Sequence, residues 1–159
     1  MARHERDISG WASGVGLEVE ALAGDRETAV WQAVRDFGWK GEAAAVRLSV
    51  PPGATAALLD DLRSMLPESA GLVVDLGTGT VWIGFDAATS AASALPGLRA
   101  LVERVSGNLL AARAPREVKA LADVWSPSPP PRALEIMRDL KQSFDPHHIL
   151  NPGRFVAGL

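Results

Sequence analysis

His147 and His148 are the first side chains to weigh for chemistry, because imidazole serves as both metal ligand and acid–base group near neutral pH. They are adjacent, and neighbouring residues seldom point the same way, so the pair alone does not make a two-ligand metal site. No metal site is expected. His148 is carried as a side chain that can face a substrate, with a surface or turn role as the plainer reading. The acids form no working pair: Asp60-Asp61 falls on a solvated helix face, and Glu18 and Glu20 share the outer face of a strand. There is no Gly-x-Ser-x-Gly elbow and no cysteine. The catalytic residues are therefore unassigned, and no self-contained catalytic centre is visible.

"LVVDLGTGT" carries an apolar run, an acid and then Gly77-Thr78-Gly79. It resembles the first motif of Rossmann-type methyltransferases and the phosphate hairpin of actin-like kinases. The former needs a helix N-terminus beyond the glycines, to receive the ligand. Here "VWIGF" comes next, which reads as a strand, so a hairpin turn is expected.

The ending offers more. In "FDPHHILNPGRF", Phe144 to Phe155, Asp145-Pro146 ends a helix, Ile149-Leu150 supply apolar anchors and Asn151-Pro152-Gly153 sets a second tight turn. Such a turn leaves the Gly153 backbone accessible and aims Asn151 and Arg154 outward. Chain ends usually fray unless something ties them down. So stiff an ending is placed against something, either another surface or its own domain.

Elements must hold this ending in place. Residues 1–14 read as a loose N-terminus. "VGLEVEAL" from Val15 alternates like a half-buried strand, and Val30, Trp31, Val34 and Phe37 form one face of a helix that starts near Asp25 and stops at Gly38. From Ala44 to Arg113 the order is strand, helix, strand, strand, helix, strand, with Pro96 placed in the first turn of the second helix. That is the ferredoxin-like split βαβ order. The expected class is α+β: an antiparallel sheet with helices on one face, plus a C-terminal helix and a docked tail. "APREVKALADVW" reads as a turn of helix, and "SPSPPP" makes 126–131 a proline-rich connector. Residues 132–159 are then the C-terminal helix and tail, with Leu134, Met137, Leu140 and Phe144 on one stripe, and 15–125 form the α+β domain around the 44–113 core.

Composition bounds the function. The chain has 159 residues, 47% of them hydrophobic, and a net charge of −3. It is long enough for one domain with a proper core. No basic stripe exists to neutralise phosphates, so no nucleic acid partner is expected. No apolar run approaches the roughly 20 residues of a transmembrane segment, and "MARHERDISG" shows no secretory signal. Zero cysteines fit a cytoplasmic protein.

"LEIMRDLKQSFDPHHILNPGRF" resembles the C-terminal signature of FAD-linked oxidases of the vanillyl-alcohol oxidase and p-cresol methylhydroxylase superfamily. Met137, Leu140, Lys141, Phe144, Asp145, Pro146, Ile149, Leu150, Asn151, Pro152, Gly153 and Arg154 match that signature position by position. Within the superfamily, "LSVPPG", "ARAPREVKALADVWSPSPPP" and "GRFVAGL" look like the FAD-binding E subunits of glycolate oxidases.

The resemblance implies the cap-bearing C-terminal part of a subunit that works in FAD-dependent oxidation of a small 2-hydroxy acid. The cofactor-binding residues it implies are Asn151, Pro152, Gly153 and Arg154, whose amide, backbone N–H and guanidinium suit the polar edge of a flavin or a phosphate. FAD itself is expected to be held mainly by a Gly-rich domain that nothing in this sequence resembles, so the chain alone is not expected to be active. Related dehydrogenases bind a metal through an H-x-G-D-G-N-x-H-like motif; "RVSGNLLAAR" has no such histidines. The implied partners are an FAD-binding domain or flavin subunit and an iron–sulfur subunit, in a cytoplasmic complex that can sit peripheral to a membrane. The alternative is a non-catalytic interaction module, because a ferredoxin-like sheet with one free face is a common platform.

Overall fold

Residues 2–121, 124–126 and 129–159 are described in the computed structural model, and the chain falls into two units, Met1–Asp36 and Phe37–Leu159. In the first unit, the segment expected to be loose is helix α1 (Ala2–Gly14). Arg3, Glu5 and Arg6 are good helix formers, and Arg3 lies 3.8 Å from Asp7 one turn on. Polarity here accompanies a helix, not a loose tail. The strand expected from Val15 does not form: Val15–Gly16 turn and 17–23 are irregular and mostly exposed. Alternation alone cannot make a strand where no neighbour takes its backbone hydrogen bonds. Helix α2 (Asp25–Asp36) forms as expected, but its apolar side is open, with Trp31 65% exposed.

The second unit holds the sheet. Its elements run β1 (Ala44–Ser49), α3 (Thr55–Met65), β2 (Gly71–Asp75), β3 (Thr80–Phe85), α4 (Ala88–Arg104) and β4 (Asn108–Arg113). After them come α5 (Arg116–Leu121), β5 (Trp125–Ser126) and α6 (Pro131–Phe144). The strand order is β2-β3-β1-β4-β5 with every neighbouring pair antiparallel, so the split βαβ arrangement is present and β5 extends one edge. The α+β class expected from the sequence is what forms.

One face of the sheet makes the core. Val46, Leu48, Val81, Ile83, Phe85 and Leu109 pack against Leu58 and Leu62 of α3 and Leu95, Leu98 and Val102 of α4. Each such burial is worth roughly 1.5–3 kcal/mol. The Arg104–Asp61 bridge between α3 and α4 spans 2.9 Å but is exposed on both sides. Such a pair contributes about 0–1 kcal/mol, so burial holds the helices down.

Two expectations need correction. Pro96 lies in the interior of α4 rather than in its first turn. Its ring is on the exposed side, so the lost backbone bond is offset by burial of Leu95 and Leu98 on the inner side. The expected connector 126–131 is also shorter: Ser126 belongs to β5 and Pro131 opens α6, where its missing N–H costs nothing. Residues 127–128 of that connector lie outside the described residues.

Gly77-Thr78-Gly79 is a hairpin turn between β2 and β3, where Asp75 pairs with Thr80. The Asp75 carboxylate accepts from the N–H groups of Gly77 and Thr78 at 3.0 and 3.2 Å. The turn leads into β3 and not into a helix, and the methyltransferase-like reading ends there. Gly79 has φ +68, and a Cβ on it would stand 2.0 Å from the Val50 carbonyl oxygen. Gly79→Ala is expected to cost about 1–3 kcal/mol, read as a lower midpoint in urea unfolding. An unchanged midpoint would mean the turn does not need this glycine.

Candidate functional site

Helix α6 delivers the tail, and one buried carboxylate ties it. The chain leaves α6 at Asp145, which is only 4% exposed. Asp145 Oδ1 accepts from Ile149 N–H at 2.9 Å and Oδ2 from Leu150 N–H at 3.0 Å. The Lys141 ammonium bonds the same carboxylate and also donates to the Leu150 carbonyl at 2.6 Å. The Lys141 hydrogen bond, helped by the two backbone N–H groups, brings the Asp145 pKa down to about 2. Asp145 is thus a permanent anion that organises backbone, not a proton donor. Sequence reading matched these residues to a signature without seeing the knot. The signal was there in the four-residue spacing from Lys141 to Asp145, which places both on one side of the helix end.

Beyond the knot the backbone turns through left-handed positions at His148 (φ +51), Asn151 (φ +45) and Gly153 (φ +70). Arg154 N–H closes the second turn on the Asn151 carbonyl at 3.2 Å. Asn151, Pro152, Gly153 and Arg154 are all exposed. The four predicted residues are therefore brought together as one presented turn. Helical or extended backbone at Asn151 and Gly153 would redirect the Arg154 side chain. His147 and His148 are exposed, and neither lines either of the two grooves beside the turn. No group of three metal-ligating side chains occurs among the described residues.

Two grooves meet at this turn. The first, about 790 Å³, lies between α6 and the tail. Met137, Leu140, Phe144, Leu150 and Phe155 give it an apolar floor, and Asn151 and Arg154 stand at its edge. None of the α6 side chains is buried, and Phe144 is 82% exposed. The expected apolar stripe is real but uncovered. The second groove, about 850 Å³, lies on the helix-free face of the sheet. Cross-strand register aligns Val73, Trp82, Arg47, Leu110 and Trp125 in one row over that face. Trp39 closes one side, and Arg113 fastens the segment before β1 by donating to the carbonyls of Trp39 (3.1 Å) and Glu42 (2.9 Å). Trp125 meets Phe155 of the tail edge-on, with ring centroids 5.7 Å apart. Arg154 lines both grooves.

No helix among the described residues is long and apolar enough to cross a membrane. No curated protein and no solved structure matches the chain. Residues 127–155, which span α6, the Asp145 knot and the presented turn, match the family described as FAD linked oxidases, C-terminal domain, and that is the domain to which this chain is similar.

Proposed function

We propose that this chain is the C-terminal, cap-bearing part of an FAD-dependent 2-hydroxy-acid dehydrogenase subunit of the glycolate-oxidase type, working within a cytoplasmic or membrane-peripheral complex. The observation that carries this reading is the exposed Asn151–Arg154 turn, fixed by the Asp145–Lys141 knot inside the segment that matches FAD-linked oxidases. The residues fit the cofactor. The Asn151 amide and the Arg154 guanidinium donate hydrogen bonds to the polar edge of a flavin or to a phosphate, and the Gly153 backbone allows close approach. A domain outside this sequence holds most of the FAD. When bound, FAD supplies the hydride acceptor for the α-carbon of a small 2-hydroxy acid, and an iron–sulfur partner receives the electrons. This chain's part is to cover the site, exclude water and orient the flavin edge.

A specific observation also favours a docking role with no catalytic share: Leu140 (53% exposed), Ile149 (74%) and Phe144 present an uncovered apolar surface along α6 and the tail. The two readings are compatible, because a cap that completes a flavin site must also dock.

The test uses the purified chain and a flavin-bearing partner. After incubation with FAD and desalting, the chain is expected to be colourless; a retained flavin band would overturn the view that FAD is held mainly elsewhere. Asn151→Ala combined with Arg154→Ala is expected to leave the fold intact and weaken docking to the flavin-bearing partner by about tenfold or more. Equal affinity for variant and wild type would remove the turn from the interface.

A further inference from the structure

We propose that β2, the open edge of the sheet, pairs antiparallel with β2 of a second copy, joining two five-stranded sheets into one. This goes beyond the cap reading and uses none of the tail residues on which that reading rests. The first observation is the difference between the two edges. The strand order puts β2 at one end and β5 at the other. β5 is only two residues long, and the sequence after it holds Pro127, Pro129, Pro130 and Pro131. A short strand offers little ladder and proline donates no N–H, so that edge is guarded. β2 has five residues, Gly71 to Asp75, with no proline, lysine or arginine. Among the described residues no strand lies beside its outward backbone groups. Such a row of groups is a template for another strand.

The second observation is self-complementarity. In a two-fold pair centred on Val73, Gly71 meets Asp75 of the second copy, Leu72 meets its Val74, and Val73 meets its Val73. Residues opposed in this register are identical or an even number apart. The set whose N–H and C=O groups face outward on one copy therefore meets the same set on the other. No like charges stand opposite, because Asp75 faces a glycine, and its carboxylate already accepts from Gly77 and Thr78. The side chains match as well. Leu72 and Val74 pair with the core residues Ile83 and Val81, so they lie on the helix-covered side. Leu72 is 37% exposed, and Val74 of the second copy covers it. On the other side Val73, beside Trp82, packs on Val73 of the second copy and carries that row across the two-fold.

The third observation is that the edge is held ready. Gly71 pairs with Gly84, and the Phe37 ring lies over both, so close that a Cβ would stand 3.0 and 3.1 Å from it. At the other end the Asp75 carboxylate fixes the hairpin turn. β2 is thus ordered at both ends before a second copy arrives, which lowers the entropy cost of pairing. One open edge and one guarded edge also close the assembly at two copies, without a growing fibre. Five residue pairs bury less than the roughly 1,200–2,000 Å² of a tight complex. A weak dimer is expected, with a dissociation constant of about 10–100 µM.

The experiment is sedimentation equilibrium of the full chain over about 1 µM to 1 mM, where a monomer–dimer equilibrium is expected. Val73→Lys and Val73→Glu each set like charges face to face in this register. Each is expected to weaken the dimer by about tenfold or more. Mixed in equal amounts, the two variants are expected to recover the dimer, because unlike charges then face each other; recovery also shows that both are folded. In the wild type, amide exchange at the outward N–H groups of β2 is expected to slow as concentration rises through the same range. Asn151→Ala with Arg154→Ala is expected to leave the dimer unchanged, which separates this edge from the tail turn. A monomer at every concentration overturns the proposal and leaves the edge to an extended strand of another protein. Wild-type dimers in both Val73 variants, no recovery on mixing, unchanged β2 exchange in a dimerising chain, or loss of the dimer in the tail variant would each overturn it too.

Discussion

Asp145→Asn leaves the sheet folded and frees the tail. The side chain keeps its size, but its charge is gone, so Lys141 loses its carboxylate partner and keeps its bond to the Leu150 carbonyl. One of the two oxygens that accept from Ile149 and Leu150 becomes an amide NH₂, setting donor against donor. Amide exchange at Ile149 and Leu150 is expected to speed up by about tenfold or more, while exchange in β1, β3 and β4 stays as in the wild type. Wild-type protection of the two amides in the variant would show that the knot does not order the tail. Acid reproduces the effect. The Asp145 pKa lies near 2, below its ordinary 3.8, so between those values the disordered tail binds more protons than the ordered one. The stabilisation is therefore complete above about pH 4 and is lost as pH falls toward 2. At neutral pH the knot is fully charged. Its functional consequence is pre-organisation, since a partner that must first order the Asn151–Arg154 turn binds with an affinity reduced by the fraction in which that turn is formed.

How far the sequence went depends on where each signal is written. The β1, β3 and β4 runs were readable because each is a short apolar stretch set off by turn residues such as Pro51-Pro52-Gly53 and Gly77-Thr78-Gly79. Pro96 misled because its cost is local while the burial of Leu95 and Leu98 that offsets it comes from the whole sheet. The Val15 strand failed for the complementary reason: its pattern is present, but strand hydrogen bonds come from a neighbour. The tail residues Asn151–Arg154 were legible as a contiguous motif. The tryptophan and arginine groove was not. It is assembled from the segment before β1, from four strands, from α5 and from the tail, and only the register that sets Arg47 opposite both Trp82 and Leu110 reveals it.

Phe85→Ala is expected to remove most of the unit's stability. Phe85 closes β3 opposite Ala44, is fully buried and belongs to the core that joins sheet to helices. Truncating a buried phenylalanine costs about 3–5 kcal/mol, a large part of the roughly 5–15 kcal/mol that holds an ordinary domain together. The urea midpoint should drop sharply with an unchanged slope, because the surface exposed on unfolding is nearly the same. Trp39→Ala makes the opposite case from an equally large ring. Trp39 is 55% exposed, and its hydrogen bond to Arg113 runs through the backbone carbonyl, which the substitution keeps. Its cost should stay within about 0.5 kcal/mol. Comparable losses from the two variants would contradict the division of labour between the faces. That division matters for function: stability resides on the helix-covered side, which leaves the aromatic, cationic side free to meet a ligand or partner without unfolding the protein.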